Sequence, residues 1–492
     1  MHGSKRISRR TFLQVSGAAA AAAVLGRAAV GAESAPAKRP NIVFLLADQW
    51  RARATGYAGD PNVKTPCLDR LAGQSVNFST AVSVCPVCTP YRAALMTGRY
   101  PTSTGMFLND LYLPDREVCM AEIFAAAGYD TAYIGKWHLD GHGRGAYIPP
   151  ARRQGFEYWK AAECDHNYPH SHYYTGQSQE KKFWDGYDAF AQTADARQYI
   201  RGRAASKKPF LLVVSYGSPH FPHNTAPQRY KDLYPPEKLK LNPNVPAAMR
   251  PRVLKELPGY YGHCSAVDEC VGQVVQTLAE AGLADDTILV FTSDHGEMMG
   301  AQGIAPCTKQ VPWDESCRVP LLMRYPRRKV GGGRTIATPI NTPDILPTLL
   351  GLAGVAVPKS VEGEDLSAVA AGEREDAGRA ALYMGVSPFS GALRRAYRAI
   401  RTSRYTYVRS EEGPWLMYDN AADPWQMNNL ANKPAHAAMQ KQLEDQLQAQ
   451  LKKAGDDFKP RQQYIDKWGY KVAPHGSIGY GAGNAPQSPA RK

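Results

Sequence analysis

Beyond its first 32 residues, this 492-residue chain has no apolar run long enough to cross a bilayer. Crossing takes about 20 consecutive apolar residues in a helix, so no membrane span is expected after that segment. There is no internal repeat, and hence no repeat architecture. The basic residues are scattered, with no RNP-like or zinc-finger pattern, and no nucleic-acid partner is expected. No second CxxC accompanies Cys85 and Cys88, which leaves a zinc-binding or redox module without its usual second half. Acids are few beside bases, 45 against 59, for a net charge of +14. Residues 1–32 hold five bases and no acid, so the remainder carries +9. That balance is compatible with an anionic substrate, although a solvated basic surface gives the same count.

The N-terminus reads as a targeting segment. Lys5 and Arg6 precede Ser8-Arg9-Arg10-Thr11-Phe12-Leu13, an alanine-rich run follows from Ala18 to Leu25, and Val30-Gly31-Ala32 supplies small residues for cleavage. A twin arginine followed by Phe and Leu marks a Tat export signal over 1–32. The expected partner is the Tat machinery, and the expected destination is the periplasm or the medium. The nine cysteines are 67, 85, 88, 119, 164, 264, 270, 307 and 317. An oxidising compartment permits disulfides, and an odd count leaves at least one thiol unpaired. The pairing stays open. Because Tat carries folded proteins, a cysteine can be processed before export.

Asn41 to Ala47 is a continuous apolar run of strand length, the pattern of a strand buried on both faces. Phe210 to Ser215 and Thr287 to Thr292 repeat it; Thr131 to Ile134 and Val76 to Phe78 are shorter candidates, and Val319 to Tyr325 is a further strand. Helices are expected from Thr65-Pro66 through Leu71, over Met120 to Ala127, over Tyr260 to Leu278 with Val267, Val271, Val274 and Leu278 on one face, and over Thr342 to Leu352. Leu239 to Val253 reads as loop. Residues 140–205, rich in Gly, His, Tyr and Arg with weak periodicity, read as a long insertion on the active-site side. This alternation predicts an α/β fold with a doubly wound, mostly parallel sheet over 33–375. Near Glu373 the character changes. Tyr397 to Arg401, Tyr405 to Arg409 and Leu416 to Tyr418 suggest a small antiparallel sheet, followed by an amphipathic helix from Ala435 to Lys453. Residues 376–470 are therefore expected to form a C-terminal α+β subdomain, and the Gly/Pro/Ser-rich 471–492 a disordered tail.

Ser83 to Pro101 reads SVCPVCTPYRAALMTGRYP. Pro90 suits the first turn of a helix running through Ala93 to Met96, so Cys88 should sit just before a helix N-terminus, near Arg92. Such a place favours an anion and a lowered thiol pKa. The two cysteines equally suit a CxxC metal or redox pair, or two buried small residues. Four predicted strands then end in chemistry-bearing residues: Asp48-Gln49, Lys136 with His138, His220, and Asp294-His295. In open α/β sheets ligands bind beyond the carboxyl ends of the strands, so the fold would gather all of these at one edge with Cys88.

These residues carry a resemblance. Cys88-Thr89-Pro90-Tyr91-Arg92, continuing to Leu95-Met96-Thr97-Gly98-Arg99, resembles the C-x-P-x-R signature of the formylglycine-dependent sulfatases of the alkaline phosphatase superfamily. Gly135-Lys136-Trp137-His138-Leu139, Asp294-His295-Gly296-Glu297, the segment Lys309 to Pro320, and Asp423 to Leu430 resemble further family segments, so that the likeness spans about residues 40–435. It implies a sulfuric ester hydrolase in which a maturing enzyme oxidises Cys88 to formylglycine. One hydroxyl of the aldehyde hydrate attacks sulfur, the alcohol leaves, and the second hydroxyl expels sulfate as the aldehyde reforms. It further implies a divalent cation on Asp48, Gln49, Asp294, His295 and the modified Cys88, and Arg92 and Lys136 holding the hydrate. His138 becomes the base for sulfate release, and His220 and Lys309 bind sulfate and assist the leaving oxygen.

Two departures from the family pattern bear on chemistry. Gln49 stands where a second Asp is common, and His295 where Asn is common. Calcium, which prefers oxygen ligands, is the first expectation for the cation, but this donor set admits manganese or zinc. The same departures suit phosphonate or phosphate mono- and diester hydrolases of the superfamily, the alternative function. Tyr91 also replaces a usual serine, without removing the signature. Substrate selection is expected from Asp165 to Tyr174, dense in hydrogen bonders and aromatics, with His166, His170, His172 and also His223 as candidate contacts to a sugar sulfate, free or in an oligosaccharide.

Overall fold

Every residue of β1 (Asn41–Asp48) is buried, as its unbroken apolar run requires. Ile42, Phe44 and Leu46 enter one core cluster, while Val43, Leu45 and Ala47 enter another. Side chains alternate across a strand, so two apolar sets on one strand demand cover on both faces of the sheet. The computed structural model describes residues 39–376, 378–389, 393–473 and 476–479. The export signal expected over 1–32 and most of the expected tail lie outside the described residues.

The following strands are β2 (Val76–Phe78), β3 (Ala81–Val82), β4 (Asp130–Lys136), β5 (Tyr158–Ala162), β6 (His172–Thr175), β7 (Lys182–Phe183), β8 (Phe210–Pro219), β9 (Thr287–Ser293), β10 (Leu321–Arg324), β11 (Arg334–Ile336) and β12 (Ile340–Asn341). Ten of them form one sheet in the order β11-β2-β10-β9-β1-β8-β4-β5-β6-β7. The central run β9-β1-β8-β4-β5 is parallel. The sheet turns antiparallel outward, at β10 on one side and at β6 and β7 on the other.

The principal helices of this part are α1 (Pro66–Ala72), α2 (Cys88–Thr97), α3 (Met120–Ala126), α4 (Asp188–Arg203), α5 (Arg250–Glu280) and α6 (Thr342–Ala353). Leu95 of α2, Phe124 of α3 and Leu346 of α6 join the cluster of Phe44. Leu68 of α1, Ile200 of α4 and Val267 of α5 join that of Leu45. The sheet is thus doubly wound.

Two expectations are corrected here. α5 starts at Arg250, ten residues before Tyr260, because Val253 and Leu257 extend its buried stripe through Pro258. Residues 140–205 are built from regular elements: β5, β6 and β7 widen the main sheet, and α4 returns across it. The α4 pattern was faint because much of its buried face is small or polar, including Ala189, Gln192, Thr193 and Ala196.

A separate four-stranded antiparallel sheet follows, β13 (Ala380–Gly385), β14 (Tyr397–Thr402), β15 (Tyr405–Ser410) and β16 (Gly413–Asp419). Its first strand was not legible from sequence. α7 (Ala437–Lys453) buries Leu443, Leu447 and Leu451, spaced one turn apart, and α8 (Arg461–Trp468) follows. The small sheet reaches the Cys88 stretch directly: the Met384 amide donates to the Val84 carbonyl at 2.8 Å. Among the described residues no helix is long and apolar enough to cross a membrane.

Candidate active site

β1 and β9 run side by side with Ala47 opposite Ser293, so the residues that follow, Asp48 and Asp294, emerge together. β4 ends at Lys136, and β8 leads into His220. α2 begins at Cys88 itself, after the extended Val87. Close approach of strands fixes this edge. A Cβ at Gly135, whose φ is +102°, would sit 2.1 Å from the Ser215 carbonyl oxygen, and one at Gly296 would sit 1.9 Å from that of Glu315. No side chain fits either place.

The Cys88 sulfur is buried. It lies 3.4 Å from His295 Nε2, 3.6 Å from Asp48 Oδ1, 3.6 Å from Lys136 Nζ and 3.8 Å from Lys309 Nζ. Burial and Asp48 push its thiol up, but Lys136, Lys309 and His295 outweigh them and hold it well below the usual range. Arg92 donates to Asp48 Oδ2 at 3.0 Å, Asp294 Oδ2 at 3.2 Å, the Lys136 carbonyl at 2.9 Å and Ser215 Oγ at 2.7 Å. Lys136 Nζ donates to Asp48 Oδ2 at 2.7 Å. Burial alone would raise Asp48; Lys136, His220, Arg92 and His295 hold it well below the usual carboxylate value.

Asp48, Cys88, Asp294 and His295 bring four buried ligand atoms within 4.8 Å of one another. Burial, then the facing Asp48, pushes the Asp294 carboxyl up to about 6. A divalent cation between the two carboxylates removes that repulsion, so the donor set fits one. The backbone of Gln49 is in the left-handed region, φ 65°. Its side-chain oxygen accepts from Lys309 Nζ at 2.9 Å, while its amide nitrogen donates to the buried Glu297.

His220 is held at both nitrogens. Nδ1 donates to the Phe221 carbonyl at 2.7 Å, and Nε2 accepts from Lys309 Nζ at 2.7 Å. Burial, then Lys309, keeps this imidazole neutral, well below its ordinary pKa. His138 pairs through Nε2 with Asp110 Oδ1 at 2.6 Å. Burial opposes protonation of His138, but Cys164, Asp110 and Cys88 raise it to about 10.

The candidate substrate contacts are spread out. The His166 ring stacks on His220 at 4.3 Å. His170 stacks on Phe183, and His172 pairs with Asp165. His223 pairs through Nδ1 with Glu256 at 2.9 Å.

Sequence reasoning missed Asp110, Glu163 and Cys164. Glu163 is fully buried and accepts from the Leu139, Asp140 and Gly141 amides at 3.2, 2.9 and 2.9 Å, clamping the loop that carries His138. Cys164 lies 3.4 Å from His166 Nε2, and against the effect of burial Lys136, His166 and His138 bring it down to about 5. Both close β5, so the strand-end rule that found Asp48 would have found them had β5 been read as a strand. Asp110 follows no strand and carried no such signal.

Comparison with known proteins agrees with this geometry. The sulfatase family model matches residues 40–355, and the model of the C-terminal part of N-sulphoglucosamine sulphohydrolase matches 307–453. A twin-arginine translocation signal matches residues 6–26. An ulvan-active sulfatase of Formosa agariphila is 55% identical over 433 residues, 88% of this chain and 85% of that protein. An endo-4-O-sulfatase of Bacteroides thetaiotaomicron is 30% identical, over 80% of this chain and 88% of its own. The crystal structure of a putative sulfatase from Bacteroides fragilis superposes with a TM-score of 0.78 at 31% identity, covering 87% of this chain and 98% of that one. With the Cys88 signature at the meeting point of four strand ends, the chain belongs to the sulfatase family, and it is a hydrolase of sulfate esters.

Proposed function

We propose that the protein is an exported sulfatase acting on a sulfated carbohydrate through a formylglycine made from Cys88 and a divalent cation. The observation that carries this reading is the placement of Cys88: buried at the start of α2, within 4 Å of His295, Asp48, Lys136 and Lys309. The ulvan-active relative supports a sulfated polysaccharide or its fragments as the substrate class. The twin-arginine signal supports Tat export to the periplasm or the medium. A maturing enzyme is the implied cytoplasmic partner, and oxidation before export suits a pathway that carries folded chains.

Asp48, Asp294 and His295, with Gln49 beside them, would hold the cation, calcium first and manganese or zinc as alternatives. Bound there, it polarises a sulfate oxygen and the nucleophile. Formylglycine hydrate supplies two hydroxyls on one carbon. Arg92 and Lys136 orient that carbon and neutralise charge. Lys309 binds a sulfate oxygen, and its ammonium, hydrogen-bonded to the neutral His220, gives the pair the proton that the departing alkoxide takes to leave as the alcohol. His138, oriented by Asp110, would take the proton whose loss lets sulfate leave once conversion of Cys88 removes one of the groups that hold its imidazole protonated. Of the four candidate sugar contacts, His166 is best placed, stacked on His220 at the leaving-group side.

Hydrolysis of phosphonate or phosphate esters is the second reading, favoured by Gln49, which removes an anionic ligand, and by His295, which brings an imidazole. Parallel rates on sulfate, phosphate and phosphonate esters separate the two. Mass spectrometry of the Cys88 peptide tests the shared chemistry: formylglycine is expected, and an intact thiol in protein from the native host refutes it. Negligible sulfate-ester turnover by matured enzyme refutes the first reading alone.

A further inference from the structure

Beside His220, between Phe221 and α5, lies a cavity of about 510 Å³. Three potential metal ligands meet in its wall. His223 follows His220 by three residues, Glu256 projects from α5, and Cys307 precedes Lys309 by two. One ligand atom from each lies within 4.8 Å of the other two. His223 is 2% exposed, and its Nε2 is sealed from solvent with no hydrogen-bond partner. Its Nδ1 is 2.9 Å from Glu256 Oε2. Cys307 is held in the left-handed region, φ 68°, by its amide donating to Glu297 Oε1 at 2.9 Å.

We propose that His223, Glu256 and Cys307 form a second cation site, for a transition metal of the zinc class, which fastens the segment carrying His220 to the segment carrying Lys309. One nitrogen, one carboxylate oxygen and one sulfur are the donors zinc takes and calcium does not. The catalytic cluster, with its two carboxylates, is the harder of the two. Zinc–ligand distances of about 2.0–2.3 Å put tetrahedral ligand atoms about 3.3–3.8 Å apart, so separations of up to 4.8 Å need to close by at most about 1.0–1.5 Å, shared between side chains that line a cavity. Burial pushes the Cys307 thiol up to about 12, with Glu297 and Glu256 adding to it and Lys309 and Arg252 opposing. Metal binding therefore releases that proton to solvent, and the cation's two charges offset the thiolate and the Glu256 carboxylate. His220 and Lys309 are 2.7 Å apart, and a tie between their segments holds them there. The site stands on its own geometry, whichever ester the enzyme cleaves.

Cobalt(II) titration of the Cys88→Ser protein tests it, since that background has no thiolate among the catalytic donors. One equivalent is expected to produce a near-ultraviolet thiolate-to-cobalt charge-transfer band. The band should vanish in Cys88→Ser/Cys307→Ser, and Glu256→Gln should weaken cobalt binding at least tenfold. Zinc at a hundred times its Kd should raise the Tm by about 3 °C in Cys88→Ser and not when Cys307 is also replaced. No band in Cys88→Ser, or a band that survives loss of Cys307, overturns the proposal. Should the Cys307 variant fail to fold, unchanged cobalt affinity in Glu256→Gln overturns it. Absence of the band together with a raised KM in His223→Ala would give the cavity to a sugar hydroxyl instead, and equally overturns it.

Discussion

Arg92→Lys isolates what the guanidinium does. Arg92 is 1% exposed and spreads four hydrogen bonds over two nitrogens, to Asp48, Asp294, the Lys136 carbonyl and Ser215. Lysine keeps the charge, so neither carboxylate is left without a cation, but one ammonium cannot reach acceptors that a planar fork reaches from opposite sides. At least two of the four bonds are lost. At about 1.5–3 kcal/mol for a bond involving a charged group, loss of two destabilises the variant by roughly 3–6 kcal/mol. For a compact unit spanning Pro40–Lys492, the entropy of unfolding is on the order of 1 kcal/mol per degree. The Tm should therefore fall by about 3–6 °C.

Calorimetry on protein made without a maturing enzyme keeps Cys88 a thiol in both forms, so the comparison reads the network alone. A variant that melts within about 1 °C of the parent would refute the claim that four simultaneous bonds hold this edge. On matured protein, with formylglycine content measured in each sample, kcat should fall by about a hundredfold or more. A fall explained wholly by lower formylglycine content would confine Arg92 to maturation and remove its catalytic role.

Lys309→Met takes away the proton donor of His220, and kcat on a sugar sulfate should fall by about 10²–10³. A nitrophenyl sulfate, whose leaving group needs no proton, should lose much less, and equal losses on both would count against the acid role. Asp110→Asn should lower kcat by about 10–100-fold with KM within about threefold, since Asp110 orients His138 at 2.6 Å without facing the reacting centre; a change confined to KM would make it a binding residue. Asp188 gives a stability test away from the site. Burial pushes its carboxyl up to about 7, with Asp165 adding and Ser171 only partly compensating. A raised acid contributes stability that is complete below its unfolded value and lost as pH rises through about 7, here about 4 kcal/mol in all. Asp188→Asn should flatten the Tm–pH curve between pH 4 and 7 and melt higher than the parent above pH 7, and an unchanged slope would sink the argument.

The legible parts of the molecule were those where one local rule dominates. β1, β8 and β9 are uninterrupted apolar strands because both faces are covered, and the residues after them had to lie at the ligand edge. α2 was announced by Pro90 and closed by Gly98 at φ 65°. The rest was decided by contacts distant in sequence. β5 to β7 are short, and the strand character of these and of β13 comes from neighbours already in place. α4 is helical with half its buried face polar, because Thr193 reaches Tyr216 and Tyr158 reaches Asp195. Asp110 and Glu163 act on His138 from 28 and 25 residues away, and no spacing rule links them to it.

Gln49 shows how such contacts settle a departure from the family pattern. Its backbone is left-handed, and its side chain lies between Lys309, which donates to its oxygen, and Glu297, which accepts from its nitrogen. Glu297 is fully buried and also accepts from the Met299 and Cys307 amides. An aspartate at 49 would set a second buried carboxylate against Glu297 with no proton between them, at a cost that rises steeply in a medium of low dielectric. An amide is the group that satisfies both neighbours, donating to one and accepting from the other. The amide at position 49 therefore suits the presence of Glu297. Its contact to Lys309 also ties that segment to β1, and Asp48, Asp294 and His295 would be left to set which cation the centre prefers.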